Sequence, residues 1–377
     1  MAAGGWRVRQ SNWVTPERAA EASDVTKHRQ PGPKSARTCG HASAPRRICD
    51  LCLDADASGQ PFLACSLACL TAHLADAHGA SGGPRAAPAR ALDYQGRVND
   101  NVAQNREWYA GHRAQVTTIV GAAGRGGDLC VLGAGNGSDL DLPALAERFT
   151  AFHLVDIDGE ALERCRASAP ATLRERLVLH PGIDLSGFAR RLDEWGEAFP
   201  AEADLGRAAQ PAIHGILNEL IGQLGRSFDV VVSTCVLSQL AVPYHRAWIL
   251  SASDWANLHA ALTAVHLMTL AGATKPGGTG ILIFDVLSSK HAPALRELDG
   301  APPEDVAAFA ARHAAEGGRG DPDPADLLAR LTSMDRLFEA PRLLAPWVWN
   351  IGAETQLVYA LVFRRAGRPE RLDEAPA

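Results

Sequence analysis

The sequence predicts an α/β fold, a mostly parallel sheet covered by helices, behind a small metal-binding domain at the N-terminus. From Leu92 onward six short apolar runs recur, LCVLG, FHLVD, LVLH, FDVVVS, GILIFDV and LVYALVFRR, separated mostly by helix-compatible stretches. That alternation belongs to parallel strands, because each parallel neighbour is reached through a crossover, usually a helix. Ahead of them, five of the eight cysteines fall between Cys39 and Cys69. Between the two regions lies GASGGPRAAPAR, whose Gly, Ser, Ala and Pro content suits an exposed connection.

These features divide the 377 residues into a tail at 1–38, a Cys/His domain at 39–78, a linker at 79–91 and an α/β domain at 92–377. The tail carries seven Lys/Arg against three Asp/Glu and few apolar residues, which predicts a solvated terminus. No apolar run approaches the roughly 20 residues that cross a bilayer, so no membrane span is expected. The first twenty residues lack the apolar stretch of a secretory signal, and the expected location is the cytoplasm. In a reducing compartment clustered cysteines favour metal over disulfide. The net charge of -6 gives no general attraction to nucleic acid or to anionic membrane.

The Cys/His block reads Cys39-x-His41, then Cys49-x2-Cys52, then Cys65-x3-Cys69-x3-His73-x4-His78, four pairs in all. Zinc takes four thiolate or imidazole ligands in a tetrahedron, so eight candidates suffice for two ions. Cys65, Cys69 and His73 recur every four residues and share one face if helical. The run CSLACLTAH resembles the second half of HIT-type zinc fingers, relatives of the MYND fingers, in which two interleaved zinc ions are held by alternate ligand pairs. The resemblance implies that Cys39, His41, Cys65 and Cys69 hold one ion and Cys49, Cys52, His73 and His78 the other. The first pair here is Cys-x-His rather than two cysteines two apart, and a single-zinc finger with Cys39 and His41 as bystanders is the alternative. With every position filled the site is structural rather than catalytic, and the resemblance implies a stabilising module or one that docks a protein partner.

In the α/β region, LCVL leads into GAGNGSDLDL, with Gly133, Gly135 and Gly137. Gly133 and Gly135 fit a dinucleotide-binding turn, but its third glycine would fall at Ser138. The spacing G-x-G-x-G instead lets the backbone pass flat beside a ligand that carries no pyrophosphate. About twenty residues later FHLVDID ends its apolar run at Asp156, where a carboxylate can accept both hydroxyls of a ribose. LVLHPGID ends near Asp184, and FDVVVST and KPGGTGILIFDV follow in order.

This succession, over roughly residues 92 to 366, resembles class I S-adenosylmethionine-dependent methyltransferases. The resemblance implies a Rossmann-like sheet, mostly parallel with seven strands, and S-adenosylmethionine as cofactor. On it, the loop of Gly133, Gly135 and Gly137 lies under the methionine and ribose. Asp156, with Ile157 beside it, holds the ribose, and Ile183 and Asp184 flank the adenine. Ser233, Thr234 and Cys235 end the fourth strand on the methyl side, and KPGG is the turn before the fifth. Many members have an acidic residue two before the first glycine, where this chain has Val131. Asp139 or Asp141 would then reach the methionine ammonium group, unless Asp139 serves as a helix cap.

Methyl transfer from a sulfonium is an in-line displacement and needs a base only when the nucleophile must lose a proton. In the loop AVPYHRAW, His245 is the candidate base with Tyr244 beside it, whereas Cys235 reads as a small buried residue. Arg106, Trp108 and Tyr109 are read as closing over the cofactor or as core. The stretch from Ser186 to Arg226 and the segment PWVWN are read as a specificity lid. The chain lacks the Pro-Pro-aromatic and Pro-Cys motifs of nucleic-acid methylases, which leaves a small molecule or a peptide or protein nucleophile, N or O, as acceptor. The competing reading is an interaction adaptor in which the finger binds protein and the methyltransferase-like domain does not catalyse.

Overall fold

The computed structural model describes residues 37–39, 41, 47–48, 62–64, 67–78, 87–188, 210–241, 252–318 and 322–367. In the Cys/His region three short strands, β1 (Arg37–Thr38), β2 (Arg47–Ile48) and β3 (Phe62–Ala64), form a sheet of order β1-β3-β2, followed by helix α1 (Leu67–His78). Helix α2 (Ala87–Gln104) starts within the stretch read as linker. A 3-10 turn at Arg106–Tyr109 joins it to α3 (Ala110–Ala123).

The main sheet contains β4 (Asp128–Leu132), β5 (Ala151–Asp156), β6 (Leu177–Pro181), β7 (Phe228–Thr234), β8 (Thr274–Ser288), β9 (Phe338–Leu343), β10 (Trp347–Asn350) and β11 (Thr355–Arg365). Its order is β10-β11-β8-β7-β4-β5-β6, with β9 also on β11. Strands β4 to β8 run parallel, and β11 is antiparallel to β8. β10 pairs with residues 355–358 of β11 and β9 with residues 361–365, so the two are segments of one edge strand. Pro346, which has no N–H to give a ladder, lies in the break. Counted in this way, the sheet has the seven strands expected of the Rossmann-like methyltransferase fold.

All six apolar runs are strands, and their lack of alternation has a direct cause. Cys130 and Leu132 of β4 face one layer, while Leu129 and Val131 face the other. Helices α5 (Gln210–Leu224) and α6 (Ala252–Ala273) cover the first face, through Leu217, Leu220, Leu258 and Val265. Val116 and Val120 of α3 and Leu162 of α4 (Gly159–Ser168) cover the second. Both faces of the central strands are buried, as in parallel sheets generally, whereas Val178 of edge strand β6 is exposed. The KPGG segment is not a turn ahead of β8 but an irregularity within it, where pairing with β7 jumps from Phe228↔Thr274 to Val230↔Thr279.

The crossover from β4 goes to β5 on one side, while β7 lies on its other side. Strand order therefore reverses at β4, and in open α/β sheets ligands bind beyond the carboxyl ends of the strands at such a point. Gly133 follows β4 there, and Thr234 ends β7.

Candidate active site

The glycine loop is held close against its surroundings. Gly133 and Ala134 both donate backbone N–H groups to Val155 O, at 2.9 and 3.0 Å. Gly133 and Gly135 have φ of +75° and +46°, a region that costs other residues roughly 1–2 kcal/mol. A Cβ on Gly133 would lie 1.9 Å from Val236 Cγ2, and one on Gly135 would lie 2.6 Å from Asn99 Oδ1. The loop thus threads between the turn after β7 and helix α2. Gly137 is not among the residues that line the cleft, and a Cβ on it would meet Cys165 Sγ of α4 at 2.5 Å. The close helix contact denied by Ser138 is made one residue earlier.

Asp156 is 3% exposed and binds the loop. Gly135 N–H donates to its Oδ2 at 2.8 Å and Asp158 N–H to its Oδ1 at 2.9 Å. Burial pushes its carboxyl up to about 6 against the pull of those two bonds. Asp158 caps α4 by accepting from Glu160 and Ala161 N–H, and its other oxygen accepts from Asn99 Nδ2 at 2.9 Å. Asn136 Nδ2 donates to Asn99 O at 2.5 Å. Helix α2 is therefore fastened to both the loop and α4. Its Ala91, Tyr94, Gln95, Val98, Asn99 and Val102 form one wall of the cleft. The sequence reading missed this wall, although its i, i+3, i+4, i+7, i+8, i+11 spacing is that of one helix face.

The same cleft is lined by Gly133, Gly135, Asp139, Asp156, Ile157, Ile183 and Asp184, seven of the predicted residues. Ser233 is not among them. It is fully buried, and its Oγ is 2.7 Å from His266 Nε2 of α6. Its neighbours Thr234 and Cys235 reach the cleft instead. Asp139 is not a helix cap, because Asp141 accepts from Ala144 N–H in that role; its Oδ1 faces His112 Nε2 at 3.4 Å. Tyr109 and Trp349 meet edge to face, with centroids 4.8 Å apart, at one end of the cleft, whereas Trp108 packs on Gly352. Burial, then the Asp139 charge, drives the Tyr109 hydroxyl upward, and burial likewise drives the Cys235 thiol well above its usual range. A thiol so held is no nucleophile. Tyr244 and His245 lie outside the described residues.

Near the N-terminus, Cys39, His41 and Cys69 bring two Sγ atoms and a ring nitrogen within 4.8 Å of one another, with Cys69 Sγ 3.1 Å from His41 Nδ1. Two sulfurs and an imidazole are a donor set that suits zinc. These are three of the four residues expected to share one ion. The fourth, Cys65, and both Cys49 and Cys52 lie outside the described residues, as does the side chain of His78. His73 is on α1, four residues after Cys69, and outside this group. Among the described residues no helix is long and apolar enough to cross a membrane.

No protein-family model matches the chain, and comparison with curated proteins finds no match. Solved structures that resemble it include a chain of the complex holding the Haloferax volcanii Trm112 methyltransferase activator. That chain is 19% identical, with 53% of this chain and 61% of that one covered and a TM-score of 0.27. Magnesium protoporphyrin IX methyltransferase from Synechocystis PCC 6803, solved with SAH bound, is 14% identical over 68% of this chain and 84% of its own, with a TM-score of 0.35. The YcgJ protein from Bacillus subtilis is 12% identical over 68% of this chain and 100% of its own, with a TM-score of 0.35.

Proposed function

We propose that the chain is an S-adenosylmethionine-dependent methyltransferase acting on a nitrogen or oxygen nucleophile of a small molecule or of a peptide or protein. One observation carries this reading. The cleft at the strand-order reversal presents three carboxylates, Asp139, Asp156 and Asp184, and among the described residues no Lys, Arg or His lines it. A dinucleotide would set its pyrophosphate anion on the glycine loop amid those carboxylates, an unfavourable placement. A sulfonium nucleoside has no phosphate and carries positive charge, which the lining complements.

In this reading Asp156 accepts the ribose hydroxyls with the lone pairs that its two backbone N–H bonds leave over. Ile157 sits beside it, Ile183 and Asp184 flank the adenine, and Gly133 and Gly135 let the backbone approach the ligand. When bound, S-adenosylmethionine supplies an electrophilic methyl group. The chain contributes alignment and the exclusion of water, through the α2 wall, Val236 and Leu240. His245, with Tyr244 beside it after β7, takes a proton where the acceptor must lose one. The Cys/His domain holds zinc through Cys39, His41, Cys65 and Cys69 and through Cys49, Cys52, His73 and His78, and stabilises the chain or docks a protein partner.

Calorimetry with S-adenosylmethionine, S-adenosylhomocysteine and NAD tests the reading. The first two should bind and NAD should not. Binding of NAD alone, or of none of the three, would refute it.

A further inference from the structure

Strand β8 reads TKPGGTGILIFDVLS and carries one acid, Asp285. On the neighbouring β7, Thr234 pairs with Ile283, and Cys235 N–H donates to Ile283 O at 2.9 Å. β7 ends there, so Asp285 stands two residues past the last pairing, over the carboxyl end of β7. Successive strand residues alternate in face. Leu282 and Phe284 join the layer under α5 and α6, whereas Ile281 and Ile283 join the layer that holds Cys235 and Trp349. Asp285 therefore projects on the face of Cys235 and Trp349, both of which line the cleft. Val358, its partner across β11, belongs to the same layer.

A carboxylate so placed is not accounted for by a countercharge. Asp285 Oδ1 accepts from Ser238 Oγ at 2.7 Å, and among the described residues no Lys, Arg or His forms an ion pair with it. Burial pushes its carboxyl above the ordinary Asp range, against the Ser238 bond that lowers it. Its charge is felt at the cleft. After burial it is the largest influence raising the Cys235 thiol, and it adds to burial, Asp139 and Cys235 in raising the Tyr109 hydroxyl. Charge effects fall off with distance, so Asp285 lies close behind both residues. It is not part of the cleft lining; it stands past the lining, next to the strand end, Thr234 and Cys235, assigned to the methyl side. A desolvated acid without a countercharge beside a cleft is disfavoured unless it serves a ligand.

We propose that Asp285, oriented by Ser238, accepts a hydrogen bond from the N–H or O–H of the methyl acceptor and thereby sets the acceptor class: an amine or hydroxyl that donates, not a carboxylate. The proposal rests on the cleft binding S-adenosylmethionine with its methyl toward Thr234 and Cys235. In-line displacement needs the nucleophile on the side of the methyl carbon away from sulfur. A carboxylate beyond Cys235 holds the donated hydrogen there and leaves the nucleophile's lone pair free for carbon. An anionic acceptor is repelled by the same group. Asp285 orients the nucleophile, and His245 remains the base of the proposed reaction.

Sinefungin has an amine-bearing carbon in place of the sulfur and methyl of S-adenosylmethionine, and so presents an N–H donor where the acceptor meets the methyl. S-adenosylhomocysteine has a bare sulfur there. Calorimetry compares the two on the full chain and on its Asp285→Asn and Ser238→Ala variants. Asp285→Asn should weaken sinefungin by roughly 10- to 150-fold and leave S-adenosylhomocysteine unchanged. Ser238→Ala should act in the same direction by a smaller factor. General loosening of the fold would weaken both ligands alike. If Asp285→Asn does not fold, Ser238→Ala, which removes no charge, decides by the same comparison. Unchanged sinefungin affinity in the variants, equal weakening of both ligands, or an unaltered chain that binds S-adenosylhomocysteine but not sinefungin overturns the proposal. An unaltered chain that binds neither ligand is a separate outcome, which removes the methyltransferase reading and the role of Asp285 with it.

Discussion

Gly135 and Asp156, 21 residues apart, are joined by a 2.8 Å hydrogen bond from backbone N–H to carboxylate. One side chain at the end of β5 thereby fixes the loop that follows β4. Asp156→Asn keeps the size but turns one acceptor into a donor that confronts a backbone N–H. Stability without ligand should fall by about 1–3 kcal/mol, and S-adenosylhomocysteine affinity should weaken by roughly 10- to 150-fold. Melting and calorimetry on the variant read the two effects separately. An unchanged melting temperature would show that the clasp does not hold the loop.

The raised carboxyl of Asp156, at about 6, gives a pH dependence of definite sign. The folded value lies above the ordinary Asp value near 3.9, so the folded chain binds more protons between the two. Its contribution to stability is present below about pH 4 and is lost as pH rises through about 6. Ribose binding, which uses the charged form, should strengthen over that rise. Affinity for S-adenosylhomocysteine measured from pH 5 to 7.5 should therefore climb in the unaltered chain and stay flat in Asp156→Asn; parallel curves would contradict the assignment.

On the opposite side of the sheet reversal, His153 Nδ1 lies 2.9 Å from His180 Nε2. One ring must donate and the other accept, so the accepting ring must be neutral and the bond is lost once both are protonated. Burial, then His180 and Arg226, depress His153 to about 4, opposed by Asp128, and burial depresses His180 as well. Because the unfolded rings titrate near 6.5, the unfolded chain takes up more protons and stability should fall as pH drops from about 6.5 to 4. His153→Gln cannot charge, so the difference in melting temperature between pH 7.5 and 4.5 should shrink. An identical acid limb would mean that the pair does not govern it.

The strands were legible because each run is apolar on both faces, and burial of a parallel sheet writes itself as contiguous Val, Ile, Leu and Phe. The glycine loop was legible because positive φ at Gly133 and Gly135 is a local requirement. Helix α2 was not, since the Gly, Ala and Pro of GASGGPRAAPAR outweigh the apolar face that begins at Ala91. PWVWN, read as a lid, is edge strand β10, which still delivers Trp349 to the cleft. Ser233 was misplaced for a simple reason: adjacent strand residues point to opposite faces, and the sequence does not say which face meets the ligand. The partnership of Asp139 with His112, whose ring takes the Trp347 indole N–H, arises only where β10 comes to lie against α3.

The grouping of Cys39, His41 and Cys69 predicts that the purified chain carries zinc, at about two ions if all eight ligands pair off. Cys69→Ser should lower the zinc content by about one ion and destabilise the N-terminal unit, because metal binding supplies much of the folding energy of small fingers. Elemental analysis decides both points. A ratio of about one in the unaltered chain would remove one tetrahedron, and no loss on Cys69→Ser would remove Cys69 from the ligand set.

Asn99 is the polar joint of helix α2, with its amide donating to Asp158 and its carbonyl receiving Asn136. It is 3% exposed. Asn99→Asp is nearly isosteric, yet it exchanges the donated hydrogen bond for a second buried carboxylate against Asp158. The lost bond and the like charges should together lower stability at pH 7.5 by about 1–3 kcal/mol or more. Near pH 4.5 a protonated carboxyl can donate again, so the loss should diminish there. Asn99→Ala also loses the bond but adds no charge, and its deficit should be the same at both pH values. Backbone hydrogen exchange over residues 87–104 should accelerate in both variants at pH 7.5, since the wall opens when its joint is cut. Exchange that stays slow there would show that α2 is held to the cleft by its apolar face alone, and a pH-independent deficit in Asn99→Asp would deny the contact with Asp158.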